Sequence, residues 1–540
     1  MAFLLAQGGS TLYKINPSTG VATALTLPTG VTLSTTRKPR FAVMNQFVAV
    51  VNSPTVNLAI DPEGAVRVMC PRSPTSGAVV TSGGVGAITG AIQTKVSFVV
   101  LGTDGTLLME SPLSPASVSV SLASNSIALT GIPISFDNVT ARRVYRNLSG
   151  GTVFYKVLDV DGNVTSTATT NTSDASLQLL PVSVNDLIAP PGTISSSRMR
   201  NIVSWKSRLW GVGSDPAQVD TVVFTESNKV YAWPNSVVAY PTGADADGIV
   251  AFAPRRDQLG VLKRNGLWQI TGSGSGSTGI STASVSLVQV VFGKGGCIAP
   301  DTVVTINDRV YWLADDGVWE WGPDGVKNIT DETVSPWFKT DTYFNRGRFA
   351  NAFARYNVQR NQYELHLADV DSEVEDRWVS FNLNLRRWFG PHKTAQFTPS
   401  HAILGQDLDG LPLSLVGGTD GTIYVANSIL CRDGANAAID MDCVGPFHSK
   451  DGPDIDHYWG QLSVLTKIED VGTLTITPTV GRFDSTAQDA IEHDLTKGRE
   501  RMRRLGEGAM VKLQFQQNVI DQGAVIYGYE IAPVHETGRH

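Results

Sequence analysis

Cysteine is scarce in this 540-residue chain: Cys70, Cys297, Cys431 and Cys443 lie far apart and none belongs to a CxxC pair. Zinc-ribbon and dithiol redox readings, which need thiols at short spacing, are therefore excluded. Cys431 and Cys443 are near enough in sequence to be bridged, but free buried thiols are the expected state in so thiol-poor a chain. The eight histidines include no HExxH pair, and His392 and His401 read as separate surface or core residues. No GxSxG elbow occurs. The glycine-rich TGSGSGSTG (271–279) lacks the GK[ST] step of a phosphate-binding loop, so a flexible surface loop is expected. Gly293-Lys294-Gly295-Gly296 runs into Cys297 without starting a helical pattern. No window approaches the roughly 20 apolar residues of a membrane span. The start, MAFLLAQGGS, lacks a signal peptide's basic region, which points to a protein made soluble in a cytoplasm.

Positive charge is also in short supply, with 43 Lys and Arg against 50 Asp and Glu, a net of −7. That balance gives no case for a tight nucleic-acid binder, though it is compatible with DNA passing close by without sticking. The acidic run Asp369, Asp371, Glu373, Glu375, Asp376 lacks the glycine and spacing of an EF-hand and reads as a solvated loop. DVDGN (159–163) reads as a turn. No metal and no cofactor is expected. Glycoside hydrolysis needs two carboxylates in one cleft, which sequence alone cannot pair, so the chain is read as non-enzymatic.

What the chain has in quantity is turns and short apolar runs. Its 52 glycines and 27 prolines are spread evenly, as in many short strands joined by turns. Three stretches repeat one pattern: RDQLGVLKRNGLWQI, NDRVYWLADDGVWEW and LPLSLVGGTDGTIYV each carry an apolar run, an Asn-Gly or Asp-Gly turn and a second run with an aromatic. The glycine of each turn is expected to adopt positive φ. Gly266, Gly317 and Gly421 are 51 and then 104 residues apart, the second close to two periods of 52. The missing copy falls in RNQYELHLADVDSEVEDRWVSFNLNLRRWFG (360–390), whose turn has grown into the acidic loop.

A period of 40 to 50 residues with about four strands indicates β-propeller blades, each needing neighbours to cover its faces. The expected fold is all-β: a propeller of about six blades, with a stack of unrelated β-sandwiches as the alternative. Residues 1–72 form its first part and 186–435 its main part; STLYKI (10–15) reads as a strand that completes a blade from the other chain end. Residues 73–185 lose the period and read as an inserted sandwich projecting from a loop. Residues 436–540 read as a C-terminal β-sandwich, with 485–505 open between helix and strand.

TVVFTESNKVYAWP, VAFAPRRDQLGVLKRNGLWQITG, GKGGCIAPDTVVTINDRVYWLADDGVWEW and the ending EIAPVHETGRH, in that order, resemble the tail-tube and nozzle β-propeller proteins of short-tailed, podovirus-type bacteriophages. ESPLSP and the RRVYR…GG…Y run resemble the fibronectin type III-like modules inserted in phage structural proteins. The resemblance implies a virion tail component: a self-associated ring, usually a hexamer, below the portal and adaptor. Its lumen would retain the DNA genome and conduct it during ejection, without sequence specificity.

Lys497, Arg499, Arg501, Arg503 and Arg504 form the one basic cluster singled out at this level. It reads either as a contact for phosphates or an acidic partner ring, or as a polar face beside the apolar strand AMVKLQF. If the cluster is a strand, Arg499, Arg501 and Arg503 share one face. Two other functions stay open. One is a host-surface glycan binder using Trp210, Trp233 or Trp337 as a platform. The other is a polysaccharide-cleaving enzyme.

Overall fold

The structure, a computed structural model, describes residues 3–17, 19–51, 56–180, 187–188, 199–213, 219–234, 238–239, 248–272, 285–330, 334–393, 397–406, 410–426, 432–433, 437–438, 441–445, 447–449, 456–469, 471–481, 486–518, 524, 526–531 and 535–538. The described chain is all-β, built from antiparallel sheets. It divides into two compact units, residues 1–356 with 406–411, and 357–405 with 412–540.

Four sheets of the first unit share one plan, four strands in chain order. The first is Arg40–Met44, Phe47–Val51, Leu58–Ile60 and Val66–Val68; the second is Met199–Trp205, Arg208–Gly213, Thr221–Phe224 and Val238–Ala239. The third is Ala251–Pro254, Leu259–Lys263, Gly266–Gly272 and Val285–Phe292; the fourth is Val304–Ile306, Arg309–Ala314, Gly317–Gly322 and Gly325–Asn328. Side chains alternate between the two faces of a strand, and here both faces are apolar. In the third sheet Phe252, Leu259, Val261, Trp268 and Ile270 pack against Trp210, Val222 and Phe224 of the second. Ala251, Ala253, Leu262 and Leu267 pack instead against Val310, Trp312 and Trp321 of the fourth. Gly260 permits that approach, since a Cβ there would lie 2.8 Å from the Trp321 ring. On the other side of the stack, the first sheet shares one core with the second. A separate core joins it to the N-terminal strands through Leu12 and Leu33. STLYKI does not join a four-stranded sheet: Thr11–Ile15 pairs on both sides with Leu4–Gly8 and Ala22–Ala24.

The marked Asn-Gly and Asp-Gly steps do close hairpins, and further tight turns fall where the sequence did not mark them. In three sheets the first hairpin closes through two residues at positive φ: Asn45-Gln46, Lys206-Ser207 and Asn307-Asp308. That is what a twist-matched two-residue turn requires. Gly317 (φ 133°) and Gly421 (φ 84°) do take the left-handed region. Gly266 does not; glycine is needed there because a Cβ would sit 2.6 Å from the Val291 carbonyl oxygen.

Between the first and second sheets the chain forms a sandwich. One layer orders Leu107–Glu110, Thr94–Leu101, Ala141–Asn147 and Phe154–Asp161; the other orders Ala168–Thr170, Val120–Thr130 and Val79–Ile92. Val80, Ile92, Val96, Leu122, Ile127 and Val144 fill the interior. The module is anchored and not merely projected from a loop. Phe98, Val100, Met109 and Val139 share a core with Met44, Phe47, Tyr231 and Trp233, and Arg72 pairs with Asp137 at 2.8 Å. Beside that joint, buried Glu110 accepts from Ser97 (2.6 Å) and Tyr145 (2.5 Å) and faces Arg143 at 3.4 Å. Burial and the Glu110 charge push the Tyr145 phenol well up, so it stays a donor.

In the second unit Gln362–Leu367, Arg377–Asn382 and Arg387–Lys393 form an antiparallel ladder, its first hairpin closed by the acidic loop, as expected. The C-terminal strands form two sheets. Met441–Val444, Met510–Gln517, Thr473–Gly481, Thr486–Ala487 and Ile491–Asp494 lie in one; Arg499–Gly508, Asp456–Thr466, Ile526–Ile531 and His535–Gly538 lie in the other. Trp459, Leu462, Leu474, Ile476, Leu513 and Phe515 are packed into their common core. The described part of 485–505 is strand with one short turn, Leu495–Lys497.

One buried group lacks what its chemistry demands. Arg142, in the sandwich strand Ala141–Asn147, is fully buried, and none of its three guanidinium nitrogens has a hydrogen-bond partner among the described residues. An uncompensated buried charge destabilises a fold, and replacing it by an apolar group of similar length removes that cost. Arg142→Met is expected to stabilise the protein by about 1–4 kcal/mol in chemical denaturation; an unchanged or lower midpoint would contradict the reading of Arg142 as a net cost.

Candidate functional site

Side chains latch the first strands of successive sheets. Asn57 of the first sheet's hairpin accepts from the Met199 N–H at 2.9 Å, Asn201 Nδ2 donates to the Val250 carbonyl at 3.1 Å, and Thr305 Oγ1 donates to the Pro254 carbonyl at 2.8 Å. Strands Arg40–Met44 and Met199–Trp205 are neighbours, as are Met199–Trp205 and Ala251–Pro254, and Ala251–Pro254 and Val304–Ile306.

A charged clasp spans these strands. Asp301, just before the fourth sheet and almost wholly buried, pairs with Arg40 at the start of the first sheet and with Lys38 at 3.3 Å. Lys38 Nζ also donates to the Asn351 carbonyl at 3.2 Å and lies 5.6 Å from the centre of the Phe353 ring. Burial, reinforced by Arg200, pushes Arg40 down to about 10, so it stays charged at neutral pH. Burial pushes the neighbouring Cys297 thiol up to about 12, which leaves it un-ionised. Arg37 and Arg200 are exposed beside the clasp, and neither guanidinium has a hydrogen-bonded partner among the described residues. Sequence reading passed over this group. TTRKPR (35–40) was a visible signal, but nothing local ties it to Asp301 or Arg200.

A concavity of about 340 Å³ lies between the third and fourth sheets, lined by Arg255, Asp257, Gln258, Gln269, Asp308 and Trp321 among others. Arg255 lies over the Trp321 ring at 4.8 Å and donates to Asp308 at 2.9 Å. The indole, almost wholly buried, therefore offers no open stacking face.

The structure divides the predicted basic cluster. Lys497 is taken up by Glu500 at 2.9 Å and Asp494 at 3.7 Å, and Arg499 by Glu530 at 3.1 Å and Ser463 at 3.3 Å. Arg501 and Arg504 are exposed, opposite the buried Met502 and Leu505. The pairing shifts register between Gln461 and Ser463, which breaks the simple alternation expected of Arg499, Arg501 and Arg503. The Arg503 side chain lies outside the described residues.

Other sequence candidates resolve as packing or ion pairs. Trp210 and Trp233 are core residues whose Nε1 groups donate to the Trp205 and Val230 carbonyls, each at 3.1 Å, so neither is a sugar platform. Trp337 is half-buried against Tyr343 and Phe344. Asp369 pairs with Arg377 at 2.7 Å and Asp376 with Lys393 at 3.2 Å. Cys70, Cys297 and Cys443 are free thiols; Cys431 and most of the 271–279 loop lie outside the described residues.

No protein-family model and no curated protein matches the chain. Solved structures do resemble it in part. PorZ, a bacterial surface component of the type-IX secretion system of Porphyromonas gingivalis, is 9% identical, with 97% of this chain and 80% of that one covered and a TM-score of 0.27. The extracellular domain of a hybrid two component system protein from B. thetaiotaomicron is 10% identical, over 93% and 76%, with a TM-score of 0.29. AztD from Citrobacter koseri is 8% identical, over 58% and 97%, with a TM-score of 0.20. Likenesses this distant carry no argument about what the chain does.

The clasp makes a direct prediction. Asp301→Asn leaves Arg40 and Lys38 without their shared counter-charge, and removing one partner of a buried pair costs more than the pair contributes. Because both cations keep some solvent, the expected loss is about 2–3 kcal/mol in denaturant unfolding; a wild-type midpoint would show that the clasp is not structural.

Proposed function

We propose that the chain is a structural protein of a short-tailed bacteriophage tail. In this reading the repeated sheets are blades of a β-propeller of about six, and the inserted sandwich is a fibronectin type III-like module. Copies associate into a ring, six in number, below the portal and adaptor. The ring retains the DNA genome and conducts it outward at ejection.

One observation carries the reading. Successive four-stranded sheets stack face on face with their first strands adjacent, and a rigidly anchored sandwich interrupts the series between the first two. That is the order of parts that the sequence resemblance to tail-tube and nozzle proteins implies. A sheet stack with cores on both faces makes a stiff wedge, which suits a subunit that must hold its shape under pressure from packaged DNA. The sandwiches then offer lateral and axial contact surfaces. A net charge of −7 permits DNA to slide past without being held by the wall.

The test is immunogold labelling of virions with antibody against this chain, together with mass photometry of the purified protein. Label at the tail tip and a ring of about six copies around an open pore are expected. Virions whose tails carry no copy of the chain would overturn the proposal.

A further inference from the structure

The concavity between the third and fourth sheets has a fixed wall and a polar lining that is only partly used. Arg255 ties the wall together. Its Nε donates to the Asp308 carbonyl at 3.0 Å, Nη2 to the Asp308 carboxylate at 2.9 Å and Nη1 to Gln258 Oε1 at 2.9 Å. Asp308, at positive φ in the first hairpin turn of the fourth sheet, also accepts from the Arg256 N–H at 2.9 Å. A turn of the third sheet is thus bound to a turn of the fourth. With Gln258 Oε1 given to Arg255, its Nε2 donors are left over. Neither they, nor the Gln269 amide, nor the Asp257 carboxylate has a hydrogen-bond partner among the described residues. Gln269 is half-buried on the Leu267 side of its strand, the side packed on the fourth sheet. Its amide therefore makes no bond within the described fold, on a face otherwise given to the core.

We infer that this concavity binds a short neutral saccharide, held through its hydroxyl groups by Asp257, Gln258 and Gln269. Its volume lies at the small end of ligand sites, which run from roughly 300 to 1,000 Å³. The charges select against ions of either sign. Arg255 is the one cation among the described lining residues and Asp308 already neutralises it, so an anion meets no unspent counter-charge. A cation is no better served. Lys206 Nζ lies 3.4 Å from the Asp257 carbonyl oxygen, which sets a positive charge beside the unspent carboxylate. What remains is a set of amide donors and acceptors, with a carboxylate able to accept from two neighbouring hydroxyls. Hydroxyl groups, each both donor and acceptor, use all of them. Val290, 37% exposed, and Pro323 add an aliphatic patch to the same lining, which suits the C–H bonds of a sugar ring. The inference goes beyond the tail reading and does not depend on it.

The test applies the full chain to an array of neutral oligosaccharides of glucose, galactose, mannose, rhamnose and N-acetylglucosamine, with sialylated and phosphorylated members beside them. The strongest neutral binder is then titrated by calorimetry against wild type and three variants. Asp257→Ala and Gln269→Leu are each expected to bind at least about tenfold more weakly. Tyr343→Ala, which strips the exposed ring beside Trp337, should bind as wild type. Asp257 is exposed and its carboxylate holds nothing among the described residues, so Asp257→Ala should melt with wild type. Its binding then decides the question even where Gln269→Leu alters melting. Binding of no neutral member, or of sialylated and phosphorylated members alone, would overturn the inference. So would undiminished binding by Asp257→Ala, or an equal loss in Tyr343→Ala. Spermidine is titrated in parallel: binding that falls with Asp257→Ala but not with Gln269→Leu would assign the concavity to a cation and overturn the saccharide.

Discussion

A four-stranded sheet that is apolar on both faces cannot stand alone in water, and the first unit follows from that constraint. Burying a large apolar side chain contributes roughly 1.5–3 kcal/mol, and each central sheet presents several on either side. The third sheet shows the consequence most plainly. Its Trp268 face needs the second sheet, its Leu267 face needs the fourth, and neither neighbour can be removed without exposing a core. Polar groups then fix the register of the stack, through Asn57, Asn201 and Thr305 at the first strands.

The same need for cover explains the anchoring of the inserted sandwich. Its Phe98, Val100 and Met109 complete the core that the first and second sheets share. The Glu110 network beside them is satisfied by hydroxyl donors, and Arg143 supplies the opposite charge, which is what allows a carboxylate to sit there. Arg142, one residue earlier and on the other face of the strand, has no such arrangement among the described residues.

Much of the fold was legible in the sequence, because strand periodicity and turn residues are local signals. The repeat around Gly266, Gly317 and Gly421 located true hairpins, and the acidic loop between Leu367 and Arg377 was identified as an enlarged turn. The positive-φ pairs Asn45-Gln46, Lys206-Ser207 and Asn307-Asp308 were missed because only Asn-Gly and Asp-Gly steps were sought. The candidate site was largely illegible. A basic run at 497–504 was conspicuous, yet carboxylates on nearby strands neutralise Lys497 and Arg499. The run at 35–40 drew no notice, because its meaning comes from Asp301 and Arg200, which are remote in sequence and adjacent only through the stack. Trp210 and Trp233 misled for a related reason: an aromatic on a strand reads alike whether its face is covered or open.

Closure is the consequence of two-sided sheets on which the functional proposal most depends. A stack that ends leaves an apolar face at each end, whereas a ring leaves none. The most direct measurement is an electron cryomicroscopy map of the purified chain. A closed ring of blades, with the first strands around one axis and Arg40 and Asp301 beside it, is the predicted result. An open row of sheets, with an uncovered face at either end, would contradict it.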